Sequence, residues 1–267
     1  MANPETDSIN HRINVKIMYN PIRRNRNIGT SKQGHGQNNK MRIPSPACSV
    51  KVFFEHLTEY LKETRVIAGN EFLFVTERTI TGFEHACSVD DVATILEHIP
   101  KHDLLDLNTV IFRQPKRKET ILSPVWGRLA LCYEFEGHNR AAIILEAVDL
   151  TSTLKWTKHL TVADQQEFKR LIADGHRFVM EKNRYVTTLK REAVRNTQLY
   201  RTLLHEIGHY VQYIEIVERP KTEGESVEAW FQRSAKYDAL STDQKEQYAH
   251  RYAEKTLREL KEKKIVP

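Results

Sequence analysis

The chain has 267 residues, 40% hydrophobic and 28% charged, with only 10 Gly and 9 Pro, which excludes collagen-like, low-complexity and wholly disordered architectures. Its 41 Lys and Arg exceed its 35 Asp and Glu by six, a mild basic excess that permits an acidic partner without requiring one. The longest apolar runs are short pieces such as 141–145, far below the ~20 residues of a membrane-spanning helix. The N-terminus, MANPETDSINHR, has no apolar stretch after a basic start. No membrane partner and a cytoplasmic location are therefore expected. Cys48, Cys87 and Cys132 are odd in number and form no CxxC pair, so reduced, mostly buried thiols are expected.

In chain order, residues 12–19 alternate Ile13, Val15, Ile17 and Tyr19 against polar neighbours and predict a strand. Residues 20–42 hold Arg23, Arg24, Arg26, Lys32, Lys40 and Arg42 among Asn, Gln and Gly, too little apolar surface to order itself. A mobile basic loop over about 20–46 is expected. Val52, Phe53, His56, Leu57, Tyr60 and Leu61 have helical spacing and predict a helix over 50–65, and 72–80 predicts a strand. A helix over 88–98 follows, with Ser88 as N-cap and Asp91 three residues on as a capping box. These elements make a small α/β portion over 1–100.

Residues 109–113, 128–135 and 141–149 predict consecutive strands, the last two joined through EGHN at 136–139. Helices are expected from there on, beginning with 162–180, although Asp174, Gly175 and His176 read as a helix-end turn, with no catalytic role expected for His176. Trp126 is expected to pack in the core. Strands followed by helices give an α+β domain over 101–267.

Residues 201–217 read RTLLHEIGHYVQYIEIV and contain His205, Glu206 and His209 as HExxH. On a helix, positions i and i+4 share a face, so both imidazoles reach one cation with the carboxylate beside them. Zinc suits two neutral imidazole nitrogens in tetrahedral geometry and leaves a position open for water. Leu199, Leu203, Ile207, Val211 and Ile214 form an apolar stripe that leaves the histidines on the adjoining face. A third ligand is needed, and Glu228 and Glu246 compete for the role. Glu246 is favoured: Ala249 and Ala253 put small residues on a helix over 242–264, which lets it approach the HExxH helix closely.

His205, Glu206, Gly208 and His209, with Glu246, Ala249 and Tyr252 downstream, resemble the zincin metallopeptidases of the gluzincin type. The resemblance covers about the last seventy residues specifically. It implies a zincin-like fold, in which a mixed β-sheet precedes the active-site helix and C-terminal helices and an edge strand lines the cleft; 141–149 is the strand expected there. It also implies one Zn2+ held by His205, His209 and Glu246, with Glu206 as the general base of peptide-bond hydrolysis. Tyr210, Tyr237, Tyr248 and His250 are candidate donors to the oxyanion, and His250, four residues after Glu246, is the first choice.

The basic loop over 20–46 is open to phosphate backbone by counterion release, but it lacks the interleaved aromatics that single strands stack on. The expected function is a zinc-dependent peptidase acting on an intracellular protein or peptide substrate, narrow in specificity or regulated. The alternatives are a metal-stabilised peptide or nucleic-acid binding protein on an inactive peptidase scaffold, and an interaction module whose HExxH is accidental. The intact Glu206 favours the first, since a pure scaffold has no chemical need for it.

Overall fold

The computed structural model describes residues 55–122 and 125–267. The strand expected over 12–19 and the basic loop expected over 20–46 lie outside the described residues, as does Cys48. Strands β1 (Tyr60–Ile67) and β2 (Asn70–Glu77) form an antiparallel hairpin. This corrects the helix expected over 50–65, whose last six residues are strand. Ala68 and Gly69 both take left-handed φ, at 49° and 82°, the two-residue turn whose twist suits a hairpin. Pairing with β2 then overrides an apolar spacing that leaves Leu61 77% exposed.

After the short β3 (Phe83–Glu84), helix α1 (Val89–Leu96) starts at the predicted Ser88, whose capping box with Asp91 is formed on both sides. Helix α1 and the short α2 (Lys101–Leu104) carry the chain to β4 (Thr109–Arg113), parallel to β2 and buried in every residue. Helix α3 (Arg117–Leu122) leads to β5 (Gly127–Phe135), which turns through Glu136 and Gly137 into β6 (His138–Glu146). Strand β6 is parallel to β4, so the mixed sheet has the order β1-β2-β4-β6-β5. It draws strands from both sides of residue 100, so the expected division there runs between strands of one sheet. Nor is 141–149 an edge strand: β6 lies between β4 and β5, and β5 is the edge. The strand's uninterrupted apolar run, Ala141 to Leu145, is what an inner strand covered on both faces requires.

Residues Val148–Asp149 (β7) pair with β3. A second sheet that the sequence reading lacked follows, built from β8 (Thr153–Thr157), β9 (Val179–Glu181) and β10 (Arg184–Thr188) in the order β8-β10-β9. Helix α4 (Val162–Ala173) is interleaved with it and ends at the Asp174–Gly175 turn, short of the expected residue 180. The chain is then helical from 191 to 218: α5 (Arg191–Asn196), a π-helical stretch (Thr197–Leu203), α6 (Leu204–Tyr213) and a second π-helical stretch (Ile214–Glu218). Helices α7 (Val227–Asp238) and α8 (Thr242–Glu262) complete a mixed α+β fold. No helix among the described residues is long and apolar enough to cross a membrane.

The main core lies between one face of the large sheet and these helices. Phe72, Phe74, Val110, Phe112, Ile143 and Leu145 meet α1 and the stripe Leu199, Leu203, Ile207, Val211 and Ile214, all five of which are buried. Gln198, 1% exposed, ties the long helix to the sheet by donating from Nε2 to the backbone oxygens of Trp126 (3.0 Å) and Glu146 (2.7 Å). Cys87 is buried as expected, whereas Cys132, on the edge strand β5, is exposed.

Candidate metal centre

The close packing of α6 on α8 sets the site. A Cβ built on Gly208 would lie 2.9 Å from the Cα of Ala249, a distance side chains do not adopt, and 3.1 Å from the Cβ of Tyr252, tighter than ordinary contact. Only glycine on one helix and alanine on the other allow that approach. Ala249, 0% exposed, is the residue the sequence reading singled out, and Gly208 is its counterpart across the crossing. One turn before Ala249, Glu246 is thereby carried to the HExxH face.

Three side chains converge there. Glu246 Oε2 lies 3.2 Å from His205 Nε2, and its Oε1 lies 3.4 Å from His209 Nε2. One ligand atom from each of the three residues falls within 4.8 Å of the others. The rings of His205 and His209 stand edge to face with centroids 4.6 Å apart. Glu228, the competing candidate, is exposed in the first turn of α7 and outside this cluster. Two imidazole nitrogens and a carboxylate oxygen are a donor set that zinc accepts, with a coordination position left over. The same atoms now share protons. Burial opposes a charge on His209, but the hydrogen bond to Glu246 and the charges of Glu206 and Glu246 raise its pKa above the usual value. Burial also disfavours the Glu246 anion, yet its hydrogen bonds to both histidines hold its carboxyl well below the usual carboxylate range. A cation at this point competes with protons for the same nitrogen and carboxylate atoms.

Glu206, half-buried, makes no hydrogen bond or ion pair among the described residues, and its charge is felt by His209 and by the phenol of Tyr237. A carboxylate so placed is available to a reactant. Of the candidate oxyanion donors, Tyr248 commits its proton to Glu215 at 2.6 Å, and the Tyr210 hydroxyl is drawn away from the cluster to the backbone N–H of Asp106, from which it accepts at 3.1 Å. Tyr237 and His250 remain. The His250 ring packs 4.5 Å from that of His205, and its Nε2 is 4.0 Å from Glu246 Oε2. Burial, the neighbouring His205 and Arg170 push its pKa down to about 3, so the ring is neutral. Arg170 Nη1 approaches His250 Nε2 at 3.5 Å, and a guanidinium can only donate, which places the ring proton on Nδ1.

Sequence reasoning missed the charged wall behind His250. Arg201, one turn before His205, donates from Nε to Asp174 Oδ2 at 2.9 Å and from Nη1 to Glu167 Oε1 at 2.6 Å. Its i−4 position relative to His205 was a legible signal; Arg170, brought by α4, had none. His176 lies outside the cluster: 3% exposed, it contacts Thr197 Oγ1 through Nε2 at 3.1 Å. The chain matches no protein-family model, no curated protein and no solved structure at a significant level of similarity.

Proposed function

We propose that this protein is a zinc-dependent metallopeptidase of the gluzincin type, with a zincin-like fold, that hydrolyses peptide bonds of an intracellular protein substrate. The observation that carries the reading is the convergence of His205, His209 and Glu246, from two helices, to within 4.8 Å. His205 Nε2, His209 Nε2 and the Glu246 carboxylate would hold the ion. When bound, zinc supplies a Lewis acid that lowers the pKa of water toward ~7 and polarises a carbonyl oxygen. Glu206 takes the proton from the attacking water on its carboxylate and delivers it to the leaving amine nitrogen. His250 Nδ1–H and the Tyr237 phenol are the donors for the developing oxyanion, and neither depends on a charge change to donate. Half-burial of the ligands restricts access and suits a narrow range of substrates.

Elemental analysis of protein purified without added metal tests the reading. A zinc-to-protein ratio of about one is expected for the wild type. It collapses in His205→Ala and Glu246→Ala and persists in Glu228→Ala and Glu206→Gln. In Glu206→Gln, hydrolysis falls by about a hundredfold or more with the metal retained. A ratio near zero that added zinc does not restore overturns the proposal.

A further inference from the structure

Two cations flank the cluster and neither is neutralised by a close carboxylate. Arg170, on α4, has a side chain 29% exposed, and its carboxylate contacts are long: 3.8 Å to Glu167 Oε2 and 4.0 Å to Glu254 Oε1. Glu167 is already claimed by Arg201 at 2.6 Å, and Glu254 is itself 73% exposed, so solvent screens that pair. The nearest polar side-chain atom to the Arg170 guanidinium is His250 Nε2, at 3.5 Å, closer than either carboxylate. On the opposite side, Lys245 precedes Glu246 on α8 and forms no ion pair among the described residues. Its ammonium lies 4.4 Å from the Tyr237 ring centroid, and its charge reaches His209. Arg170 thus stands on the His205–His250 side and Lys245 on the His209–Tyr237 side of the same three ligands.

We infer, building on the peptidase reading, that Arg170 and Lys245 are specificity-determining residues that select substrates carrying a carboxylate near the scissile bond. With zinc bound, the carboxylates of Glu246 and Glu206 together offset the 2+ charge of the ion, so the centre of the site carries little net attraction for a substrate carboxylate. Its attraction comes from the flanks. A planar guanidinium receives a carboxylate with two N–H groups, and an ammonium on a flexible stem follows it as a point charge. The carboxylate comes either from an Asp or Glu side chain or from the free C-terminus of the peptide.

The test uses full-length, zinc-loaded Glu206→Gln protein, which binds without turnover, and fluorescent octapeptide pools read by anisotropy. One pair of pools fixes Asp or Glu against Asn or Gln at one position; a second pair compares free with amidated C-termini. Carboxylate-bearing pools are expected to bind about five- to tenfold more tightly than their neutral counterparts, and added salt narrows the gap. The pair of pools that shows the gap identifies the source of the carboxylate. Arg170→Gln or Lys245→Gln, added to this background, brings the ratio toward one. A ratio of one in the parent protein overturns the inference, and so does a ratio unchanged in both variants. Cleavage of the same pools by the wild type is scored separately: charge-selective binding without cleavage removes the peptidase reading and leaves the recognition by these two cations intact.

Discussion

Two clusters of charged side chains sit at opposite extremes of pairing in this protein. At the ends of β4 and β6, Arg113 is 0% exposed and Glu146 2%; Arg113 Nη2 donates to Glu146 at 2.6 Å and to Glu119 at 2.9 Å, while Arg128 Nη2 reaches Glu146 at 3.1 Å. Two guanidiniums face two carboxylates, and the charges cancel. At the metal centre, three donors point at one spot, Glu206 has no bonded partner among the described residues, Arg170 makes only long carboxylate contacts and Lys245 forms no ion pair among the described residues. Close pairing of opposite charges fixes a structure; looser pairing leaves groups available to a ligand.

The largest effect follows from the first cluster. Arg113→Met leaves Glu146 buried without its main counter-charge, at a cost of about 3–5 kcal/mol. Burial already raises the Glu146 pKa, so part of that loss is relieved by taking up a proton, and the double variant Arg113→Met/Glu146→Gln should recover most of the stability. By contrast, Glu246→Gln is expected to cost about 1 kcal/mol or less in metal-free protein, because its site is half-open. Urea denaturation of the three variants decides. Equal losses for Arg113→Met and Glu246→Gln would erase the distinction between the two clusters.

The two regions were unequally legible in the sequence. His205, His209 and Glu246 could be named because helical spacing is local and because Ala249 marks where one helix admits another. What the sequence did not disclose was Gly208 as the opposing half of that crossing, since its role appears only once α6 and α8 are paired. Strands β4 and β6 were legible as strands by their apolar runs, but β6 was expected at the edge and lies inside the sheet. The second sheet was not: Val179–Glu181 is three residues long and exposed throughout, and although Leu154 and Trp156 alternate with Thr153, Lys155 and Thr157, the period runs for only five residues. Arg113 read as the end of a strand, and its burial depends on Glu146 and Glu119 arriving from elsewhere.

Gly208→Ala sharpens the comparison from the packing side. The added Cβ meets backbone atoms of Ala249 at 2.9 and 3.0 Å, which no side-chain rotation relieves, so α8 must shift. Overpacking of this kind costs about 1–3 kcal/mol. The same displacement moves Glu246 away from the histidines, and zinc affinity is expected to fall by at least tenfold, roughly 1.4 kcal/mol. Competition against a zinc chelator, run alongside urea denaturation, separates the two losses. Full zinc affinity in a folded Gly208→Ala protein would show that the ligand geometry does not depend on the crossing.

The smallest effect comes from a pair intermediate between the two clusters. Asp91 on α1 and Arg195 on α5 bind at 3.1 Å through Nε with side chains 23% and 34% exposed, clamping the start of the long helix to the sheet side of the molecule. The Arg195 hydrogen bond, against the opposing effect of burial and with help from Ser88, holds the Asp91 carboxyl down at about 2, compared with ~3.9 for an unperturbed Asp. The neighbouring Cys87 thiol, pushed up to about 12 by burial, stays neutral in the acid range, and Arg191 and Arg195 stay charged. A folded-state pKa below the unfolded one means that the stabilisation is complete above pH ~4 and is lost as pH falls toward 2. Solvent screening of a pair this exposed reduces it to about 1 kcal/mol. Arg195→Gln should therefore lower stability by about that amount at pH 6, and the difference from wild type should narrow below pH ~4 and close only as pH falls through ~2. A gap that stays constant across this range would assign the role of Arg195 to packing of its aliphatic stem rather than to its charge, and would place the clamp closer in kind to the apolar core than to either charged cluster.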